Sequence, residues 1–200
     1  ALAPRIREAV GEAKYGRQFS KDVFDEAKLQ QQGSAWDVIT SGNWETVGRP
    51  SKLVARKLPV ELSLPAKSTD ETIQTAMATL GGREKVFATP IGSVLIDAVA
   101  FGEHIAKDPG RSRYLPLLDD MLLNPQEIWQ TFLQNKITGR IELRTRFITV
   151  YEVGKSRSMV LSVGVTRGRL SVWTMFVNSD FKYLNKQRVG QLLYSEDEAL

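Results

Sequence analysis

The stretch that decides the fold is GRIELRTRFITVYEV, residues 139–153, in which apolar and polar side chains alternate. Two further alternating runs follow, SMVLSVGVT at 158–166 and RLSVWTMFV at 169–177, and the linking segments GKSR and RGR are short and basic. Alternation of β-branched and aromatic residues is typical of strands, and short polar links are typical of tight turns. We therefore predict three consecutive antiparallel strands.

Helical patterns precede these strands. The segment STDETIQTAMATLGG at 68–82 begins with a capping cluster and ends in a glycine pair, which predicts a helix. The segment TPIGSVLIDAVAFGEHIAKDPG at 89–110 is predicted as a second helix, because four apolar residues fall on one stripe. These four are Val94, Ala98, Phe101 and Ile105. Helices followed by strands predict an α+β domain.

A third helix is predicted over NPQEIWQTFLQN at 124–135. Asn124 would cap it, Pro125 would take its first position, and Glu127 would complete the cap. Its predicted buried residues are Ile128, Trp129 and Phe132. Beyond the strands, Leu184, Val189, Leu192 and Leu193 predict a last helix or strand before an acidic, frayed end.

The regular pattern begins at Ser68. We expect residues 1–67 to be an accessory N-terminal region of helices and loops, or a linker from a preceding domain, and residues 68–200 to form the main domain. The chain has no cysteine and one histidine, which excludes disulfides and thiolate metal sites and argues against structural zinc. No apolar run is long enough to span a bilayer.

Charge is concentrated in one segment. The net charge is +4, yet residues 136–169 hold eight basic side chains and two acidic ones, enough to attract a phosphate backbone. In the first strand, alternation places Glu142, Arg144 and Arg146 on one face. Because unpaired buried charges are costly, this face is expected either to be solvated or to bind an anion.

Metal-free RNA cleavage needs a base, an acid, cations that stabilise the phosphorane-like charge, and hydroxyls that orient the phosphate. His104 is predicted at a helix C-terminus, where the helix dipole favours the imidazolium form, so it is expected to titrate near neutral pH. Thr174 would supply a hydroxyl from the third strand. The structural alternatives stay open: a capping histidine, a solvated arginine face, and core positions for Trp129 and Trp173.

Several motifs occur in a recognisable order. They are His104, RSRYLPLLDDMLLNPQEIW at 111–129, the basic strand, VWTMFV at 172–177 and YLNKQRVGQLLY at 183–194. This series resembles the phage-type nuclease domains of the barnase, EndoU, colicin E5/D and RelE-like superfamily. It is similar in particular to the domain at the C-terminus of phage minor head proteins of the Mu F type and in polyvalent phage proteins. The resemblance covers about residues 80–194.

The resemblance implies N-terminal helices packed on a four-stranded antiparallel sheet, and RNA cleavage on the exposed sheet face without metal or cofactor. The implied catalytic residues are His104, Arg113, Arg144, Arg146 and Thr174. The residues expected to contact substrate are Arg111, Arg140, Glu142, Lys155 and Ser171. The predicted activity is attack by the 2′-oxygen to give a cyclic phosphate, with tRNA or another RNA as substrate.

The resemblance also implies phage head proteins or an inhibitor protein as partners, no membrane, and a location in the phage virion or the bacterial cytoplasm. Two other functions remain open. The first is a non-catalytic module that binds nucleic acid or a capsid. The second is an ADP-ribosyltransferase, suggested by a first-strand arginine, SRS at 156–158, and Glu196 and Glu198.

Overall fold

The computed structural model describes residues 36–166, 169–178 and 181–198, and between 155 and 178 it describes the backbone alone. The described helices are α1 (Thr69–Leu80), α2 (Ala98–Ile105), α3 (Leu118–Leu123) and α4 (Phe181–Gln187), with 3-10 turns at Pro109–Leu117 and Glu196–Glu198. The described strands are β1 (Trp36–Val38), β2 (Glu84–Thr89), β3 (Gly92–Asp97), β4 (Glu127–Asn135), β5 (Ile141–Val153), β6 (Lys155–Thr166), β7 (Arg169–Asn178) and β8 (Gln191–Ser195).

The predicted α+β class and the three predicted strands are confirmed. Strands β5, β6 and β7 are consecutive antiparallel neighbours, and β4 joins β5 to complete a four-stranded antiparallel centre. In the described part of the chain the sheet order is β1-β4-β5-β6-β7-β3-β2, and β8 also pairs with β4. Strand β3 runs parallel to β7 and links the β2–β3 hairpin to the centre.

The predicted helix at 124–135 is wrong. This segment forms β4, because Asn124 and Pro125 end α3 instead of opening a new helix. Gln126 then leads the chain into the sheet: its backbone N–H donates to the carbonyl of Ile148, and its side-chain oxygen accepts from the N–H of Val150 at 2.7 Å. The Asn-Pro-x-Glu pattern therefore marks the start of a strand.

The predicted second helix is only half right. Residues 92–97 form β3, which is paired with β2 in a hairpin, and only residues 98–105 are helical. Gly92 permits the tight turn by adopting a φ of 127°. Asp97 then caps α2 by accepting a hydrogen bond from the N–H of Ala100. The first predicted helix is confirmed as α1, capped by Ser68 and ended by Gly81 at a φ of 74°.

Both faces of the central strands are covered. On one face, Phe147 and Tyr151 of β5 pack in a core with Phe101 and Ile105 of α2. On the other face a smaller core is formed by Leu53, Trp129, Ile148, Val150 and Leu184. Successive residues of a strand point to opposite faces, so the odd-numbered residues of β5 face the helix layer and the even-numbered ones face the smaller core.

The segment 36–66 lies along the same sheet. Strand β1 pairs with the end of β4 at Asn135, while β8 pairs with its beginning at Glu127. Further along, the N–H of Ser63 donates to the carbonyl of Arg113, and the N–H of Ala66 donates to the hydroxyl of Ser112. Residues outside the predicted main domain thus contact the sheet and its helices at several points.

The C-terminal segment forms both a helix, α4, and a strand, β8. The prediction of a frayed acidic end is wrong for residues 196 and 197, because Glu196 and Asp197 are held by arginines of the segment 36–66. Glu196 pairs with Arg56, and Asp197 accepts from Arg49 at 3.0 Å. These ion pairs tie the end of the described chain to its beginning.

Candidate functional site

The charged side chains of β5 form a row on the sheet, which we call the arginine row and which consists of Glu142, Arg144 and Arg146. Their even numbering places them on the face of the smaller core. Across β4 their Cα partners are Leu133, Thr131 and Trp129, respectively. The guanidinium Nη2 of Arg144 donates to a carboxylate oxygen of Glu142 at 3.0 Å, so the row contains a carboxylate–arginine pair.

The expectation that this face is open to solvent is wrong. Glu142 is fully buried, and Arg144 and Arg146 are only 6% and 8% exposed. Burial is tolerated because opposite charges are paired within the row and because an aromatic ring lies against it: the guanidinium carbon of Arg144 is 5.3 Å from the ring centre of Trp36. The row is therefore a preformed cluster of charges beneath a cover.

Hydroxyl-bearing residues continue the row across the next strands. Arg146 is the Cα partner of Ser162 on β6, and Ser162 is the Cα partner of Thr174 on β7. The register shifts immediately after Ser162, which marks a β-bulge beside Thr174. Bulges are over-represented next to active sites. The side chains of these β6 and β7 residues lie outside the described part of the structure, so the arrangement is one of backbone register.

His104 does not join this row. It is buried on α2, whose neighbouring residues Phe101 and Ile105 pack in the helix-layer core on the opposite face of the sheet. Burial and the nearby positive charges of Lys107 and Arg111 lower the pKa of His104 to about 4. The expected titration near neutral pH is therefore wrong, because burial and repulsion outweigh the helix-end effect.

The other predicted site residues are dispersed. Arg111 is half-buried and forms an ion pair with Asp108 at 3.0 Å. Arg113 is half-buried, with its guanidinium carbon 5.5 Å from the ring centre of Tyr114. Arg140 lies in the turn just before β5. Lys155 begins β6 and Ser171 lies on β7, where the structure describes the backbone alone.

A second charged cluster, which was not predicted from the sequence, is centred on Glu127, for which a capping role was expected. The buried carboxylate accepts from Nε and Nη2 of Arg188 at 2.7 Å each, from Nε of Arg49 at 2.8 Å, and from the indole N–H of Trp129 at 2.7 Å. Burial by itself would raise the pKa of Glu127, but hydrogen bonds from Arg188, Arg49 and Trp129 outweigh it and hold the pKa below its usual value. We call this set the Glu127 cluster.

The local sequence contains a signal for Glu127 but none for its partners. In EIWQTFLQN the residues Glu127, Trp129 and Thr131 alternate with Ile128 and Gln130, which is the period of a strand. The partners Arg49 and Arg188 lie 78 and 61 residues away along the chain. Only the fold brings them together. Because all four donors are satisfied at short distances, the Glu127 cluster is a structural tie between the segment 36–66, β4 and the C-terminal segment.

The fold and the arginine row define a class: an α+β domain with α1, α2 and α3 on one face of a mainly antiparallel sheet and a carboxylate–arginine pair on the other. Residues 72–195 match the family model described as phage-Barnase-EndoU-ColicinE5/D-RelE like nuclease2. The chain belongs to this nuclease family, which confirms the resemblance read from the sequence. No curated protein and no solved structure matches the chain.

The described residues were also compared with what a membrane-spanning helix and a metal site require. None of the described helices combines the length and the apolar character needed to cross a membrane. Among the same residues, no group of three or more histidine, aspartate or glutamate side chains is placed to hold a metal ion.

Proposed function

We propose that the chain is an endoribonuclease that cleaves RNA without a metal ion, by attack of a 2′-oxygen on the adjacent phosphate to give a 2′,3′-cyclic phosphate. The observation that supports this most directly is the pairing of Glu142 with Arg144, beside Arg146, on the sheet face of a nuclease-family domain. A carboxylate and two guanidiniums are the groups that such a reaction uses as base and as stabilisers of negative charge.

In the proposed mechanism, Glu142 removes the proton from the 2′-hydroxyl. Arg144 and Arg146 then stabilise the charge that develops on the phosphate as the 2′-oxygen bonds to phosphorus and the 5′-oxygen departs, taking up a proton from water. Thr174, placed by register next to Arg146 through Ser162, is the proposed hydroxyl donor to the phosphate. DNA lacks the 2′-hydroxyl, so the same site would not cleave it by this route.

The proposal changes the role of His104. With a pKa near 4 the imidazole is neutral at pH 7, so it has no acidic proton ready for a leaving group and is a weak base. Its helix also lies on the other face of the sheet from Arg144. We therefore propose a structural role for His104, and we expect His104→Gln to retain the cleavage rate if the variant folds.

The test uses the purified full chain, a labelled single-stranded RNA and excess EDTA. The expected product carries a cyclic phosphate, and a matched oligonucleotide with a 2′-deoxy sugar at the cleaved position stays intact. Glu142→Gln should slow cleavage by about 10²–10⁴-fold and Arg144→Lys by about 10²–10³-fold, as is typical for loss of a general base or an oxyanion contact. The control is Arg83→Lys, in an exposed turn before β2.

A non-catalytic nucleic-acid module is the second candidate, and the eight basic against two acidic side chains over residues 136–169 favour it. Such a protein would hold RNA with an affinity that falls steeply with salt and would leave the RNA intact. Intact RNA in EDTA and in magnesium, together with salt-dependent binding, would replace the enzyme proposal with this one.

Partnership with phage head proteins or an inhibitor protein, and a place in the virion or the bacterial cytoplasm, stay predictions.

A further inference from the structure

The burial of the arginine row limits the access of a ligand to its guanidiniums. A phosphate must come within hydrogen-bond distance of a guanidinium in order to be bound. Arg144 and Arg146 are almost wholly buried and Glu142 completely so. If this face receives a phosphodiester, some part of the protein must first move away from it.

Trp36 is the residue whose movement would expose Arg144. It is the first residue of β1 and the Cα partner of Asn135, which puts it on the same sheet face as Thr131 and Arg144. Its ring centre lies 5.3 Å from the guanidinium carbon of Arg144, and Trp36 is only 9% exposed. The ring therefore occupies space beside the guanidinium that an incoming phosphate or base would need.

Strand β1 is short, and its contacts with β4 end just beyond it, where the N–H of Ile39 donates to the carbonyl of Phe132 and the N–H of Phe132 donates to the hydroxyl of Thr40. It has three residues at the edge of the sheet, and two of them, Asp37 and Val38, are exposed. The ion pair between Asp37 and Lys136 at 3.2 Å has both side chains at least half exposed, so it contributes little. In contrast, Arg49 and Leu53 farther along are fixed in the Glu127 cluster and the smaller core.

We propose that β1 is an autoinhibitory strand: Trp36 covers Arg144, and RNA reaches the arginine row when β1 leaves the edge of β4. The nature of the incoming ligand rests on the proposed function, whereas the covering of Arg144 rests on geometry alone. Trp36 precedes the family-matched residues 72–195, so the cover is supplied by a segment outside the nuclease domain as the family defines it.

The first test links β1 to β4 by a reversible disulfide bond. Asp37 and Gln134 are directly opposite each other on β1 and β4, and the chain has no cysteine, so Asp37→Cys with Gln134→Cys can form one disulfide. The first readout is the rate at which phenylglyoxal modifies Arg144, measured by peptide mass spectrometry. The second is cleavage of labelled RNA in EDTA. We expect both rates to be at least about tenfold lower in the oxidised form than after reduction, because a covalent link removes the opened state.

The second test removes the ring. Trp36→Ala should raise the modification rate of Arg144 about three- to tenfold, the equivalent of one cation–π contact, whereas Trp36→Phe should stay within about twofold of the parent. Unfolding curves show whether each variant is folded. Equal modification of Arg144 in the oxidised and reduced forms, and in the two Trp36 variants, would overturn the autoinhibitory strand whatever RNA does.

The two proposals fail separately. If no form cuts RNA while Arg144 modification follows the disulfide, the covering strand stands and the ribonuclease proposal falls. If RNA is cut equally by the oxidised and reduced forms, the ribonuclease proposal stands and β1 is not an autoinhibitory strand.

Discussion

Replacing Glu127 by glutamine is expected to lower the free energy of unfolding by about 3–5 kcal/mol, the usual result of removing one member of a buried ion pair. The carboxylate has no exposed surface and accepts four hydrogen bonds, three of them from guanidiniums. A glutamine has the same shape but one fewer acceptor atom and no charge. It would leave Arg188, which is also fully buried, without a compensating carboxylate.

Asp197→Asn is the matched control. Asp197 pairs with the same guanidinium, that of Arg49, at 3.0 Å, but its side chain is 66% exposed where that of Glu127 is 0% exposed. An exposed ion pair is worth about 0–1 kcal/mol, because water solvates both partners when the pair is broken. The two variants therefore break similar contacts with Arg49 in two different environments.

Urea denaturation at pH 7, followed by tryptophan fluorescence, measures both changes. A buried ion pair at Glu127 is refuted if Glu127→Gln lowers the free energy of unfolding by less than about 1 kcal/mol, or by no more than Asp197→Asn, with unchanged denaturant slopes. The pH dependence of stability has a predicted direction as well. Because the pKa of Glu127 is depressed in the folded state, its contribution is present above about pH 4.5 and is lost as the pH falls through the folded pKa. Glu127→Gln should lose that acid-limb dependence.

Two further stability predictions follow from buried positions. The pKa of His104 falls from 6.5 to about 4 on folding. Its contribution to the free energy of unfolding should therefore be fully present above pH 6.5 and decrease by on the order of 2–3 kcal/mol between pH 6.5 and 4. His104→Gln should flatten that slope in urea titrations at several pH values, and an unchanged slope would refute the assignment. Gly190→Ala should cost more than about 3 kcal/mol, because the new Cβ would lie 2.3 Å from the carbonyl of Gln130. Gly92→Ala shares the positive φ but meets open space, so it should cost about 1–2 kcal/mol, and equal losses in thermal or urea unfolding would contradict the clash.

The parts of the fold that the sequence predicts are those whose signals are local. Alternation over 139–153 is sufficient for β5, and a capping serine with a terminal glycine pair is sufficient for α1. The sequence fails at β3 and β4, where helical and strand patterns overlap. Val94 and Ala98 share a helical spacing, yet they belong to a strand and to the helix that follows it. Which period prevails depends on hydrogen bonds to the partner strands, β2 for β3 and β5 for β4, and the pattern of one segment does not show these bonds.

The same distinction applies to the candidate site. Alternation alone identifies the shared face of Glu142, Arg144 and Arg146, because it is a property of one strand. Their burial cannot be read from that strand, since Trp36 lies more than 100 residues earlier in the chain. For His104, the helix-end effect is a property of one element only. Its depressed pKa comes from packing of α2 in the core and from Arg111 in the following 3-10 turn.

Two charged clusters share one face of this sheet. The free-energy cost of exposing each one indicates which is structural and which is a candidate binding site. Uncovering the Glu127 cluster would break hydrogen bonds to Arg49 and Arg188 and expose the core around Leu53. Uncovering Arg144 in the arginine row would require the displacement of the Trp36 ring, which belongs to a three-residue strand. A binding site must be reachable at a cost that ligand binding can offset, whereas a structural tie need not be. The row is therefore the cluster in which to look for substrate, and the state of β1 is the variable to control in any activity measurement.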